Sequence, residues 1–253
     1  MDGVKDRQVH GDSDEEQITA EIVTSIEAIP VTYQVKPFVT NQSKSLPNAG
    51  IPRANIAPSV NSPNGTTKDN WAKNHSQQTV LQQHCEFFDL DRDGIVWPSD
   101  TFRGFHNLGF GIFLSLLAVG IIHANFAYPT QKSWFPDPTL RIHLERIHHD
   151  KHGSDSNTYD HQGRFVPQHF EDIFAKYAEG RDYLTFWDLV KLWNGQRCIA
   201  DPIGWGGALF EWLATYLLLW PADGKMYKED IRAIYDGSIF HGIASKRSKR
   251  KIK

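Results

Sequence analysis

With only Cys85 and Cys198 in 253 residues, the chain lacks the cysteine needed for a disulfide framework. It also lacks an apolar run behind its acidic N-terminus, so no secretory signal is expected and the soluble part is expected to face the cytosol. Alternating apolar and polar runs are missing from 139–240, where apolar residues recur at helical spacing between short Gly- or Asp-containing turns. The fold is therefore expected to be mostly α. A hydrophobic content of 40% supplies enough apolar side chain for a sizeable core. The net charge of -3 hides an asymmetry, since the first thirty residues are mostly acidic and six of the last eight are Lys or Arg. The two ends suit different partners, and none of this points to nucleic acid.

Positions 1–74 are rich in Pro, Asn and Ser and show no apolar period, so little burial is available to offset the entropy of ordering them. This segment is expected to be mostly disordered, with Pro30 to Phe38 as a docking strip. One domain is expected over 75–240 and a basic tail over 241–253. The domain opens, within 78–103, on a helix whose stripe is Leu81, Cys85 and Phe88. From Gly104 to Gln131 there is no Asp, Glu, Lys or Arg at all. As a single helix those residues would measure roughly 42 Å, against roughly 30 Å of bilayer hydrocarbon. Gly109, Gly111 and Gly120 loosen such a helix, Pro129 ends it, and Pro136 and Pro138 keep the chain turning over 129–138.

Asp89 to Asp100 has the ligand spacing of an EF-hand calcium loop. Carboxylates fall at positions 1, 3 and 5 (Asp89, Asp91, Asp93), Gly94 stands at position 6, and the carbonyl of Ile95 serves position 7. A hard cation needs this set of oxygens, and the glycine permits the sharp turn. Asp100 replaces the usual bidentate Glu at position 12, and its shorter side chain implies weak affinity or tolerance of Mg²⁺. A Gly followed two residues on by an apolar residue recurs at Gly163 with Phe165 and at Gly224 with Met226. Asp182-Tyr183-Leu184 is a fourth, glycine-less candidate. These are expected either to be degenerate hands that pack without binding or to be ordinary helix-turn-helix joints.

The run LQQHCEFFDLDRDGIVWPSDTF, the uncharged segment, the prolines after it, and then KHGSDSNTYDHQGRFVP and IFAKYA resemble a caleosin, the calcium-binding peroxygenase family of lipid droplets. The likeness extends from about Pro30 to Phe240 and includes PVTY and YDGSIF. It implies a haem b held by two histidines, which fall here on His84 and His152, both then catalytic as well as cofactor-binding. It implies a peroxygenase that passes oxygen from a fatty-acid hydroperoxide to an unsaturated lipid. It also implies attachment to a lipid-droplet monolayer or the endoplasmic reticulum membrane through the uncharged segment and its proline knot. The prolines here are more spread than in the family, with Lys132 between them. The oligomeric state is left open, a homo-oligomer included.

Read from the residues alone, His84 is a histidine beside an apolar stripe, more often a satisfied core or surface group than a ligand. His143, His148, His149 and His152 are spaced to share a helical face for a metal, yet Arg141, Arg146 and Lys151 among them suit a basic surface equally well. The absence of a Cys-x-x-Cys-His run excludes covalent c-type attachment. The uncharged segment admits a spanning helix, a monolayer hairpin or a core helix, and His123 and Asn125 argue that its end lies near an interface or against protein. Ile203 to Trp220, broken only by Glu211, is expected to pack in the core or lie at an interface. A non-enzymatic, calcium-responsive droplet coat is the alternative function. His84 lies five residues before Asp89, so calcium binding is expected to influence its orientation.

Overall fold

The computed structural model describes residues 50–251, with side chains to 249. The expected docking strip at Pro30 to Phe38 lies outside the described residues. A short helix, α1 (Trp71–Asn74), precedes α2 (Val80–Glu86). Thr79 starts α2 with a reciprocal cap: its Oγ1 accepts from Gln82 N–H at 3.3 Å while Gln82 Oε1 accepts from Thr79 N–H at 2.9 Å. Strand β1 (Ile95–Val96) and helix α3 (Pro98–Asn107) complete the first helix-loop-helix unit. The second consists of α4 (Ile112–Thr130), strand β2 (Ile142–His143) and a 3-10 turn, Leu144–Asp150. Two further units follow: α5 (Pro167–Tyr177), β3 (Tyr183–Leu184) and α6 (Phe186–Gln196), then α7 (Pro202–Leu219), β4 (Met226–Tyr227) and α8 (Lys228–Tyr235). Helix α9 (Ser238–Lys251) ends the described chain.

Antiparallel two-residue ladders tie the units into two pairs. Val96 lies opposite Ile142 in one ladder and Leu184 opposite Met226 in the other, and all four are buried. This is the arrangement of paired EF-hands. The 182–184 and 224–226 candidates therefore pair with each other. Gly163 and Phe165 do not form a hand: Phe165 bridges Arg53 and Tyr159. The partner of the calcium loop is a stretch the sequence reading passed over. With Ile142 aligned to position 8, Asp137 falls at position 3 and Leu140 at position 6, where it takes the left-handed φ of +52° that glycine usually supplies.

The uncharged segment divides between two elements. Gly104 to Asn107 finish α3, a turn at Gly109 (φ +91°) follows, and α4 then runs unbroken through Pro129 in its last turn. Among the described residues α4 is the one helix long and apolar enough to cross a membrane, with mean hydropathy 1.6. Exposure changes along its length: Ile112, Phe113, Leu116 and Leu117 in its first two turns are exposed, whereas His123, Ala127 and Thr130 further on are buried. His123 sits against protein, bonded through Nε2 to Thr101 Oγ1 at 2.8 Å and through Nδ1 to the Leu140 carbonyl at 2.6 Å.

The largest core cluster gathers Phe165, Phe170, Ile173, Leu184, Leu192, Met226 and Ile231 between the two halves of the second pair. Residues 50–74, expected to belong to a disordered segment, pack on this domain. Ala57 and Ser59 are buried. Glu229 on α8 accepts from Ser59 Oγ at 2.6 Å and Ser62 Oγ at 2.7 Å, and Asp236 accepts from Thr66 Oγ1 at 2.6 Å. The order of this stretch comes from polar partners on a distant helix rather than from apolar periodicity. The basic tail expected from 241 continues as α9, whose Phe240, Ile243 and Ala244 pack with Phe87 and Leu108.

Candidate functional site

In the first loop the carboxylates of Asp89, Asp91 and Asp93 present ligand oxygens that all lie within 4.8 Å of one another. Asp89 is buried and accepts from Gly94 N–H at 2.8 Å and Asp93 N–H at 3.2 Å. Burial, with the charges of Asp93 and Asp91 behind it, pushes the Asp89 carboxyl up despite those two donors. A divalent cation relieves that repulsion. Gly94 takes the φ of +83° required for the turn, and Ile95 follows on β1. Asp100 stands apart from this group. Its Oδ2 accepts from Trp97 N–H at 3.1 Å and so caps α3, leaving one oxygen for an ion.

The other loops carry their own cations. In the loop paired with the calcium loop, Asp137 accepts from Arg141 Nε at 2.7 Å and from Thr139 Oγ1 at 2.6 Å. In the third, Asp188, at the position equivalent to Asp100, accepts from Arg181 Nη2 at 2.9 Å. A guanidinium stands where an ion would otherwise be needed.

His84 is partly buried on α2, with its ring edge-on to Phe240 at 5.2 Å. Its Nδ1 is 2.7 Å from the Ile234 carbonyl oxygen. A carbonyl can only accept, so Nδ1 carries the proton and Nε2 presents a lone pair. Burial lowers the His84 pKa, which favours the neutral form that can ligate a metal.

His152 stands at the start of the loop 152–156, which Asp201 clamps to the N-terminus of α7. Asp201 Oδ2 accepts from Ser154 N–H at 2.9 Å and Gly153 N–H at 3.2 Å, while Oδ1 accepts from Gly204 N–H at 2.9 Å. The His152 Nδ1 lies 3.8 Å from Asp201 Oδ2 and has no hydrogen bond of its own. Its Nε2 faces α7 at Gly207, where a methyl group would sit 3.4 Å away. Glu211 is one turn further along the same face of α7.

Glu211 is exposed to solvent but has a high density of protein around it. That enclosure, with Asp155 adding repulsion, pushes its carboxyl up to about 7. Enclosure also raises the Cys85 thiol and the Tyr235 phenol to about 12, and in both the Glu211 charge adds to the effect. Lys151 is buried against Asp155 at 2.7 Å, and Tyr159 donates to the Tyr235 carbonyl at 2.5 Å. Cys85 follows His84 on α2 and Asp155 lies in the loop that bears His152, so the Glu211 charge is felt beside both histidines.

The expected histidine group does not assemble. His148 and His149 stack edge-to-face at 4.5 Å beside Arg146, as a basic surface would, while His152 turns to Asp201. Among the described residues the Asp89 group is the one cluster placed to hold a metal ion.

The model of the caleosin family, described as caleosin-related protein, matches residues 76–244. The chain belongs to the caleosin family. It is 38% identical over 230 residues to a protein of Lilium longiflorum named peroxygenase, covering 90% of this chain and 94% of that one. It is 39% identical over 183 residues to probable peroxygenase 4 of Arabidopsis thaliana, covering 70% and 91%. A third relative, a probable inactive peroxygenase-like protein of Arabidopsis thaliana, is 30% identical over 147 residues, covering 58% and 70%. No solved structure matches this caleosin. Sequence reasoning missed Asp201 beside His152, and it noted Glu211 only as a lone charge in an apolar run. That isolation was the available signal, since a single carboxylate among apolar residues requires a local reason.

Proposed function

We propose that this caleosin is a calcium-binding haem peroxygenase, transferring oxygen from fatty-acid hydroperoxides to unsaturated lipids at a lipid-droplet or endoplasmic reticulum surface, with its soluble part facing the cytosol. The observation that carries the proposal is the bond from His84 Nδ1 to the Ile234 carbonyl. It fixes the tautomer and leaves Nε2 for iron, as outer partners do for metal-bound histidines. The second histidine, His152, has the Asp201 carboxylate beside an otherwise unpartnered Nδ1. His84 would hold haem b, which when bound supplies the redox chemistry that cleaves a hydroperoxide O–O bond and delivers one oxygen, and His152 would serve the reacting side.

The residues of the chain provide the remainder. His84, held on α2 by its bond to the Ile234 carbonyl, would present Nε2 to the iron in one orientation. His152 lies on a loop and is paired with a carboxylate. It is suited to take the hydroperoxide proton at Nε2 and to return a proton to the departing oxygen. The exposed apolar start of α4 would bring the site to the surface where lipid substrates reside, while His123 further along stays bonded to protein. Asp89, Asp91, Asp93 and the Ile95 carbonyl hold Ca²⁺, with Asp100 contributing one oxygen.

The absorption spectrum of detergent-purified protein tests this reading. A Soret band is expected, lost in His84→Ala and weakened or shifted in His152→Ala, with peroxygenase turnover abolished in both. A chain without haem absorbance after expression with haem supplied would refute it.

A further inference from the structure

Helix α9 places an arginine where the described residues give it nothing acidic to bind. Arg247 lies across the turn between α3 and α4, so close to Gly109 that a methyl group there would fall 1.2 Å from its Nη1. Only bare backbone allows that approach, and Gly109 also takes a φ of +91° that other residues avoid. Among the described residues no carboxylate pairs with Arg247. Beside it opens a cavity of about 190 Å³ whose other walls include Leu108, Phe110, Leu114, Leu217 and Trp220, with no acidic residue among them.

Trp220 provides a second and independent sign. It ends α7 in the left-handed conformation, φ +36°, at the position where helices commonly place glycine. A bulky residue there is strained, and such strain persists where the exposed side chain has a use. Trp220 is 70% exposed, and Ile112 and Phe113, which follow the lining residue Gly111 at the start of α4, are 64% and 77% exposed. Tryptophan favours the boundary between headgroups and hydrocarbon.

We propose that this junction of the α3–α4 turn, the end of α7 and α9 is a binding site for one anionic phospholipid, with its phosphate on the Arg247 guanidinium and the start of an acyl chain in the cavity. A soluble phosphate would meet one cation among apolar walls and leave the cavity unused. A phospholipid uses both, because a planar guanidinium matches phosphate oxygens in a two-pronged bond while the apolar wall takes the chain. The site deepens the surface-attachment part of the proposed function and rests on that part alone. The two readings separate experimentally, because binding to neutral vesicles reports the apolar anchor and preference for anionic vesicles reports the site.

The full chain, exchanged from detergent, is floated with phosphatidylcholine vesicles containing or lacking phosphatidic acid. Wild type is expected to favour the anionic vesicles, and Arg247→Gln to lose that preference by about fivefold, the weight of one basic residue at such a surface. Lys249→Gln on the same helix is expected to lose much less. Equal losses in the two variants, or none in Arg247→Gln, would overturn the site and leave α9 a general basic surface. On wild type alone, short-chain phosphatidic acid below its micellar concentration is expected to abolish the preference, whereas inorganic phosphate at equal concentration leaves it. Equal competition by both, or by neither, would also overturn the site. Phosphatidic acid brominated on its acyl chains is expected to quench wild-type tryptophan emission more than that of Trp220→Phe.

Discussion

The imidazole of His84 donates from Nδ1 to the carbonyl of Ile234 at 2.7 Å, joining the helix that enters the calcium loop to the helix that leaves the fourth loop. The two residues are 150 positions apart. The orientation of this histidine is therefore set by the closing of the whole domain, not by α2 alone.

That burial makes His84 sensitive to acid. Its folded pKa lies below the ordinary 6.5, so the unfolded chain binds the proton more readily, and the histidine's contribution to stability is present above pH 6.5 and falls away as the pH drops below it. Unfolding by denaturant across the acidic range should show this slope. His84→Gln should flatten it.

Calcium affinity should be limited by Asp100, whose Oδ2 is committed to the α3 cap. Lengthening it in Asp100→Glu restores the bidentate reach of position 12 and should tighten calcium binding by about an order of magnitude. Calorimetry on the full chain measures this, and magnesium should compete less well in the variant. Arg181→Gln should leave the calcium stoichiometry unchanged, because that guanidinium braces a loop without ligands.

Glu211 should give the opposite slope to His84. Its folded pKa of about 7 lies above the ordinary 4.5, so the folded chain keeps the proton longer than the unfolded one. The stability linked to this group is full below pH 4.5 and declines as the pH rises towards 7. Glu211→Gln should remove that decline, which thermal melts at a series of pH values would show. Equal slopes in the variant and the wild type would mean that the surroundings of Glu211 do not penalise its charge.

Glu229 holds the 59–62 stretch through Ser59, Ser62 and Arg232. Glu229→Ala strands those donors and should cost about 1–3 kcal/mol. The melting temperature should fall, and protease should cut within 50–66 in the variant while sparing the wild type.

Local chemistry made part of this molecule legible. Asp89, Asp91, Asp93 and Gly94 declare a calcium loop because the ion requires its ligands at fixed steps along one short segment. The uncharged run declares an apolar helix for similar reasons. The partner of the calcium loop was hidden because Arg141 has taken the cation's role and Leu140 the glycine's, leaving no carboxylate pattern to read. The 50–66 stretch was hidden because its acceptors, Glu229 and Asp236, lie some 170 positions away. Asp201 and Glu211 join the HGSDS loop only once α7 has docked, a contact no spacing along the chain reports. The family likeness singled out His152 where spacing could not.

The short ladder between Ile95 and His143 has a consequence for communication across the protein. Its first strand belongs to the ion site, and its second leads through one 3-10 turn into the loop that bears His152. The ion site also follows directly on the helix that bears His84. One bound metal thus touches the mounting of both histidines, through a covalent route on one side and a backbone ladder on the other. On the proposed assignment of these residues, a change in calcium would reach His84 and His152 together, making this loop a dial on the reaction and not merely a brace for the fold.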